Sequence, residues 1–108
     1  MYKIILTCVL FISPLVNSQY NANIKGVIDD DYVYTDGNHI YFRFVNQPTE
    51  HSVCKPNYFV LGADIPSDRL DRLLTRLLTA HTTKEEINIG YDNSVECARG
   101  YIKVHRVG

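Results

Sequence analysis

Three residues in the first half of the chain could form a ligand-binding surface: Tyr34, Tyr41 and Arg43. Tyr41 and Arg43 are two positions apart in a run of alternating polarity, so they face the same side of a predicted strand. Tyrosine rings can stack on the C–H faces of sugars or on bases, and a neighbouring guanidinium can donate hydrogen bonds. The alternative is an ordinary strand, where tyrosine buries its ring and leaves its hydroxyl in solvent. We expect these residues to bind a ligand.

A polar loop near the C-terminus contributes two further candidate binding residues, Asn93 and Ser94. They lie in the run from Asp92 to Glu96, directly before Cys97. A loop that a disulfide anchors at one end can hold ligand-contacting side chains in place, although it is equally an ordinary surface connection. We expect Asn93 and Ser94 to lie at the rim of the tyrosine surface.

The residue patterns do not indicate catalysis or a bound metal. The four histidines lack the HxxxH or HExxH spacing of metal ligands, and Asp29–Asp31 lacks the spaced acids and glycine of a calcium loop. The serines have no nucleophile-elbow context, and Glu85 and Glu86 would point to opposite faces of a strand. We therefore expect a protein that is not an enzyme and holds no cofactor.

The N-terminus predicts export. An apolar run over residues 4–12 follows a lysine, and Val16 and Ser18 stand at the −3 and −1 positions of a cleavage site. This pattern is typical of a secretory signal peptide over 1–18, and the run is too short to span a bilayer. Cleavage would leave residues 19–108 as a single secreted or periplasmic domain without a membrane anchor.

Two cysteines would remain in the exported domain, Cys54 and Cys97. In an oxidising compartment they can form only one intrachain disulfide, which we expect to be present. The formal net charge of −1 becomes −2 when Lys3 is removed, and the basic residues form no run. This charge pattern argues against a nucleic-acid partner and against a polybasic membrane-binding patch.

Hydrophobic periodicity predicts five strands and one helix in the order β-β-β-α-β-β. The predicted strands cover 23–34, 39–45, 58–61, 87–91 and 101–107. The predicted helix carries an apolar stripe made by the leucines at 70, 73, 74, 77 and 78, and Asp64 or Ser67 could cap it. This is the order of an OB-fold, a five-stranded and partly open barrel. A ubiquitin-like β-grasp is the alternative, but it has only two strands before its helix.

The segment LLTAHTTKEEINIGY, residues 77–91, resembles the helix-to-strand region of the binding subunits of AB5 toxins, in particular the subtilase-cytotoxin type. The likeness extends to many small exported bacterial proteins of unassigned function. The resemblance implies an OB-fold, a pentameric ring and binding of sialylated glycans. The related pattern places glycine after the paired threonines, where this chain has Lys84. No position matches the family's glycan-contacting motif, so the resemblance assigns no binding residue.

Taken together, these patterns predict a mostly β (α+β) domain: a five-stranded OB-like barrel with one disulfide, Cys54–Cys97. We expect an exported, non-catalytic module that binds a glycan, with Tyr34, Tyr41 and Arg43 as its contacts, and that assembles as a homo-oligomer. The alternative is a protein-binding module such as a secreted inhibitor or an assembly subunit. A third interpretation, a small hydrolase, would require a pocket with a pair of groups whose pKa values are perturbed.

Overall fold

The computed structural model describes residues 20–108, so the predicted signal peptide (1–18) lies outside the described residues. The described chain has seven strands and one helix: β1 (Ala22–Gly26), β2 (Ile28–Val33), β3 (Ile40–Phe44), β4 (Lys55–Leu61), α1 (Ser67–Thr83), β5 (Ile87–Tyr91), β6 (Cys97–Ala98) and β7 (Tyr101–Val107). The prediction of a mostly β domain with one helix is confirmed. The prediction of five strands is wrong, because the structure has seven.

The two additional strands have separate causes. The first predicted strand divides at Val27 into β1, which pairs with β5, and β2, which pairs with β3. A strand that changes partner is counted twice, although its sequence reads as one segment. The other addition is β6, whose two residues pair with the start of β7 in a region that the sequence predicts as a loop. Two residues are too few for hydrophobic periodicity to reveal.

The strands form one hydrogen-bonded sheet in the order β1-β5-β7-β4-β3-β2, with β6 added beside β7. All pairings are antiparallel except that between β4 and β7, which is parallel. β1 and β2 stand at the two ends of this path, separated in the chain by Val27 alone, whose carbonyl accepts the N–H of Val45 at 2.9 Å. The sheet is not closed by strand pairing within the described residues.

The β4 strand begins three residues before the predicted start at Tyr58 and includes Pro56. A proline lacks the N–H that a strand ladder needs. β3 pairs with β4 only over the segment from Phe59 to Leu61, so the amide of Pro56 is not required there. The carbonyl of Pro56 instead accepts the side-chain amide of Gln47 at 2.8 Å. This local arrangement explains why a proline-containing segment, predicted as a loop, is extended.

The core lies between the sheet and one face of α1. Three phenylalanines at its centre, Phe42, Phe44 and Phe59, are fully buried, with ring centroids 5.4–5.9 Å apart. The helix buries Leu70, Leu77 and Ala80 and packs Leu73 and Leu74 against the same cluster. Leu78 does not belong to this stripe, since it is 45% exposed. At 100° per residue it falls on the edge of the apolar face.

The N-terminal end of the helix differs from the sequence prediction. Pro66 occupies the N-cap position and no side chain caps the helix, so the prediction of Asp64 or Ser67 as the cap is wrong. The Asp64 carboxylate instead accepts a hydrogen bond from Lys103 at 3.0 Å. The helix ends at Lys84 in the left-handed conformation, with φ 62°. Glycine adopts this conformation without steric cost, whereas a residue with a Cβ such as lysine does not.

The predicted disulfide is confirmed. Cys54 and Cys97 are bonded, with their Cα atoms 5.6 Å apart, and the bond links the loop before β4 to the start of β6. The sulfur of Cys54 lies in the core cluster, since that residue is only 4% exposed. Along 20–108, no helix has the length and apolar character needed to cross a membrane.

Candidate functional site

Five tyrosines pack together on the face of the sheet opposite to α1, and we call this group the tyrosine cluster. Its members are Tyr32, Tyr34, Tyr41, Tyr58 and Tyr101. They come from β2 or the residue after it, β3, β4 and β7, so four neighbouring strands supply one surface. Alternation along each strand directs these rings away from the phenylalanine core.

Tyr41 is the centre of the tyrosine cluster. Its ring stacks on Tyr34, with 5.0 Å between centroids and 15° between planes, and meets Tyr58 and Tyr101 edge-on at 6.0 and 5.7 Å. Tyr41 is only 7% exposed, whereas Tyr32 and Tyr34 are 40% and 51% exposed. The exposed rings are therefore the surfaces open to a ligand; Tyr41 holds the ring of Tyr34 in place, and Tyr58 packs edge-on against that of Tyr32 at 5.9 Å.

Arg43 lies beside the tyrosine cluster, as expected from its position in β3. Its guanidinium carbon is 5.9 Å from the centroid of the Tyr58 ring, and its Nε is 3.9 Å from a carboxylate oxygen of Asp29. That Nε is buried and has no hydrogen-bond partner among the described residues. Lys55 adds a second cation, 5.4 Å from the centroid of Tyr101. The two cations flank the aromatic surface on β3 and β4.

A negative charge lies on β2 next to Arg43. β2 and β3 place Asp30 opposite Arg43 and Tyr32 opposite Tyr41. The carboxylate of Asp30 is the main cause of a raised pKa at the Tyr32 hydroxyl, with smaller contributions from burial and from Tyr58. Tyr32 therefore stays a neutral hydroxyl that can both donate and accept hydrogen bonds. The cluster thus offers aromatic faces together with acidic, basic and hydroxyl groups.

Asn93 and Ser94 are placed in a different neighbourhood. The backbone N–H of Asn93 donates to the side chain of Asn21 at 2.9 Å, and its carbonyl accepts the hydroxyl of Ser52 at 3.2 Å. The hydroxyl of Ser94 donates to Asp92 at 2.7 Å. None of these partners belongs to the tyrosine cluster. The structure thus brings Tyr34, Tyr41 and Arg43 together, whereas the contacts of Asn93 and Ser94 lie within the loops.

Asp92 organises the loop that carries these two residues. Its carboxylate is 6% exposed and accepts the backbone N–H groups of Val95 and Glu96 at 3.0 and 2.8 Å, in addition to the Ser94 hydroxyl. Burial alone would raise the pKa of Asp92, but these hydrogen bonds outweigh it and lower the pKa to about 2. The Asp-x-Ser pattern is a sequence signal for such a turn.

His51 connects this loop to the loop before β4. Its Nδ1 accepts the backbone N–H groups of Val53 and Cys54 at 3.1 and 2.9 Å, so the proton lies on Nε2. Nε2 then donates to the carbonyl of Asp92 at 2.8 Å. Together with the disulfide, this histidine fixes the two loops to each other. His51 contacts Asp92, which lies 41 residues further along the chain, and no local sequence pattern reveals such a contact.

A network of charged side chains continues the outer face along β7. Lys103 binds Asp64 at 3.0 Å and Glu96 at 3.3 Å, and His105 binds Glu96 at 2.8 Å. Burial would lower the pKa of Lys103, but the two carboxylates raise it, and Lys103 lowers the pKa of Asp64 through their hydrogen bond. These pairs satisfy one another, so they form a structural network rather than an open site.

Tyr58 and Tyr101 belong to this surface but were not among the predicted binding residues. Both lie in predicted strands, but the parallel pairing of β4 with β7 brings them beside Tyr41, and the sequence does not reveal that pairing. Within residues 20–108, no group of three or more His, Cys, Asp or Glu side chains could hold a metal ion. Comparisons of this chain with protein-family models, curated proteins and solved structures found no match.

Proposed function

We propose that this chain is an exported, non-catalytic binding module whose tyrosine cluster recognises a glycan. The observation that carries the proposal is the pair of exposed rings, Tyr32 and Tyr34: Tyr34 stacks on the buried ring of Tyr41, and Tyr32 packs edge-on against Tyr58. Flat, rigid aromatic faces suit the C–H faces of sugar rings, because the contact removes apolar area from water at low entropic cost. The hydroxyl of Tyr32 and the guanidinium of Arg43 supply hydrogen-bonding groups around those faces.

The proposal includes an OB-like barrel as the architecture. One residue, Val27, separates β1 from β2, and its carbonyl bonds to Val45, so the two strands can be regarded as one bent strand that pairs at both ends. Counted this way, and with the short β6 set aside, the order becomes five strands with α1 between the third and the fourth. The parallel pairing of β4 with β7 and the disulfide support the same architecture. OB-folds use this sheet face for oligosaccharides and oligonucleotides.

Binding to a glycan array and titration calorimetry with the best-bound glycan test the proposal. We expect Tyr34→Ala and Tyr32→Ala to abolish or strongly weaken binding while the fold is retained. Tyr20→Ala is the matched control, because Tyr20 is similarly exposed at 38% but lies against Arg106 and Gly90 outside the cluster. An array without any bound glycan, with the disulfide-linked fold intact, would contradict the proposal.

A protein ligand is the second candidate, and the composition of the same surface favours it. Tyrosine and arginine are the residue types that dominate the energetics of protein interfaces, and both occur here. Val53 is also exposed, at 64%, in the loop before β4. If the array is negative, a pull-down in which one defined protein is captured by the wild type and by Tyr20→Ala, but not by Tyr34→Ala, would support this candidate.

A further inference from the structure

A cleft lies on the other side of the β2–β3 hairpin, between the hairpin and α1. It has a volume of about 150 Å³, and its apolar walls are formed by Val33, Ile40, Leu70 and Leu74. Val33 is 56% exposed although it is a β-branched apolar residue at the end of a strand. The tyrosine cluster is not part of this cleft, since none of its residues lines it. Nothing in the proposed function uses it.

Two polar groups without partners also line the cleft. The Nδ1 atom of His39 is buried and makes no hydrogen bond within the described residues. Asp71 lines the cleft from the helix side. Within residues 20–108 its carboxylate forms no ion pair or hydrogen bond, whereas Asp68, one helical turn earlier, pairs with Arg72. The Nδ1 atom of His39 is covered by protein and offers no surface to a ligand, whereas the carboxylate of Asp71 is exposed and can pair with a cation.

The size of the cleft limits what it can hold. Pockets for drug-sized ligands are roughly 300–1,000 Å³, so this one is too small for an oligosaccharide. An apolar cavity of roughly 150 Å³ holds a single benzene-sized group. The walls therefore select one ring or one short branched chain, and the unpaired carboxylate of Asp71 selects a positive charge on it.

We propose that this cleft, which we call the hairpin–helix cleft, binds a small primary amine whose body is a single aromatic or branched aliphatic group. The apolar body lies between Val33 and Leu74, and the ammonium lies near Asp71. The proposal does not depend on the glycan function, because it uses different residues on the opposite side of the hairpin.

Gly37 provides a way to close the cleft without altering its charges. A Cβ at this position would lie 3.3 Å from His39 Nδ1 and 4.0 Å from Arg99 Nη1, so an alanine methyl would fill part of this end of the cleft. The backbone at Gly37 does not have a positive φ, so alanine is tolerated there conformationally. Gly37→Ala therefore tests the cleft by filling it, whereas Asp71→Asn tests it by removing the charge.

The experiment is a titration of the folded, disulfide-bonded protein with benzylamine at pH 7, followed by ¹H–¹⁵N NMR. We expect saturable shifts confined to the hairpin and the first half of α1, with binding about fivefold weaker in Asp71→Asn. Gly37→Ala should weaken binding at least as much, and Asp68→Asn, one helical turn away and 79% exposed, should not. Benzyl alcohol, which has the same ring without the charge, should bind more weakly than benzylamine.

Several outcomes would overturn the proposal: no saturable shifts, shifts centred on the tyrosine cluster, equal effects of Asp71→Asn and Asp68→Asn, or equal binding of benzyl alcohol. Glycan binding, measured on the same variants, separates the two proposals. We expect Asp71→Asn and Gly37→Ala to retain it, while Tyr34→Ala loses it and keeps the benzylamine response.

Discussion

The exposed ring of Tyr34 lies nearly parallel to the buried ring of Tyr41, with 5.0 Å between the two centroids. The two residues come from opposite sides of the β2–β3 hairpin, so the stack forms only when the hairpin has its native register. Tyr41 is in turn held edge-on by Tyr58 and Tyr101. The orientation of the outermost ring is therefore set by residues on three other strands, and we expect stability and the proposed ligand binding to be coupled at this position.

The first prediction concerns the energy of that stack. A double-mutant cycle with Tyr34→Ala and Tyr41→Leu should give a coupling energy of about 0.5–1.5 kcal/mol, measured by urea unfolding, because an aromatic pair contributes this much beyond its buried area. The corresponding cycle between Tyr20 and Tyr41 is the control, since the two rings do not contact each other, and its effects should add. Additive effects in the Tyr34–Tyr41 cycle would show that the stack is energetically unimportant.

The second prediction concerns the end of the helix. Lys84 has φ 62°, a conformation that costs a residue with a Cβ roughly 1–2 kcal/mol. Lys84→Gly removes that cost but makes the unfolded chain more flexible, so we expect a net stabilisation of about 0.5–1 kcal/mol in thermal or urea unfolding. Lys84→Ala keeps the Cβ and should give no such gain. Equal stabilisation by alanine would mean that the lysine charge, rather than the backbone, is responsible.

The third prediction concerns the disulfide. Cys54 and Cys97 are 43 residues apart, and closing a loop of that length contributes about 4 kcal/mol in the chain-entropy model. The double variant Cys54→Ala/Cys97→Ala should therefore lose most of the stability of so small a domain. Reduction of the wild type should reproduce the loss, and the reductant should not affect the double variant. An unfolding midpoint that reduction leaves unchanged would contradict the prediction.

Local sequence patterns predicted the helix and the strands of this fold more accurately than they predicted which strands pair with each other. The leucine spacing that indicates a helix and the alternation over Ile40–Phe44 depend on neighbours in the chain, and both predictions match the structure. Leu78 was misassigned because it lies on the edge of the stripe, where periodicity does not discriminate. The change of partner at Val27 and the two-residue β6 depend on tertiary pairing, which leaves no periodic signal.

The residues of the candidate site likewise fall into two groups: those that a local pattern predicts, and those that come together only through strand pairing. Tyr41 and Arg43 share a face because they lie two positions apart in β3, and a single strand fixes that relationship. Tyr58 and Tyr101 join them only through the sheet order, so their membership required the structure. The expectation that Asn93 and Ser94 lie at the rim rested on the disulfide anchoring their loop. The structure shows that the disulfide and Asp92 both hold this loop, and that the Asp92 carboxylate accepts the Ser94 hydroxyl and the N–H groups of Val95 and Glu96.

The fourth prediction concerns the pH dependence of stability that follows from Asp92. Its pKa is about 2 in the folded protein and 3.8 in its ordinary state, so the folded state favours the ionised carboxylate. Since one pKa unit corresponds to about 1.4 kcal/mol, Asp92 contributes about 2 kcal/mol of stability. This contribution is complete above pH 3.8 and is lost as the pH falls through about 2, because the unfolded chain takes up the proton first.

Urea unfolding of the wild type and Asp92→Asn between pH 7 and pH 2 measures this contribution. Asparagine keeps the shape of the side chain but cannot become ionised, so the variant should be less stable at pH 7, and the difference should shrink as the pH falls toward 2. Asp68→Asn is the matched control, because the exposed carboxylate of Asp68 contacts only Arg72, at 3.8 Å. It should leave the pH profile nearly unchanged. A wild-type advantage that stays constant down to pH 2 would show that packing around Asp92, rather than its charge, holds the loop together.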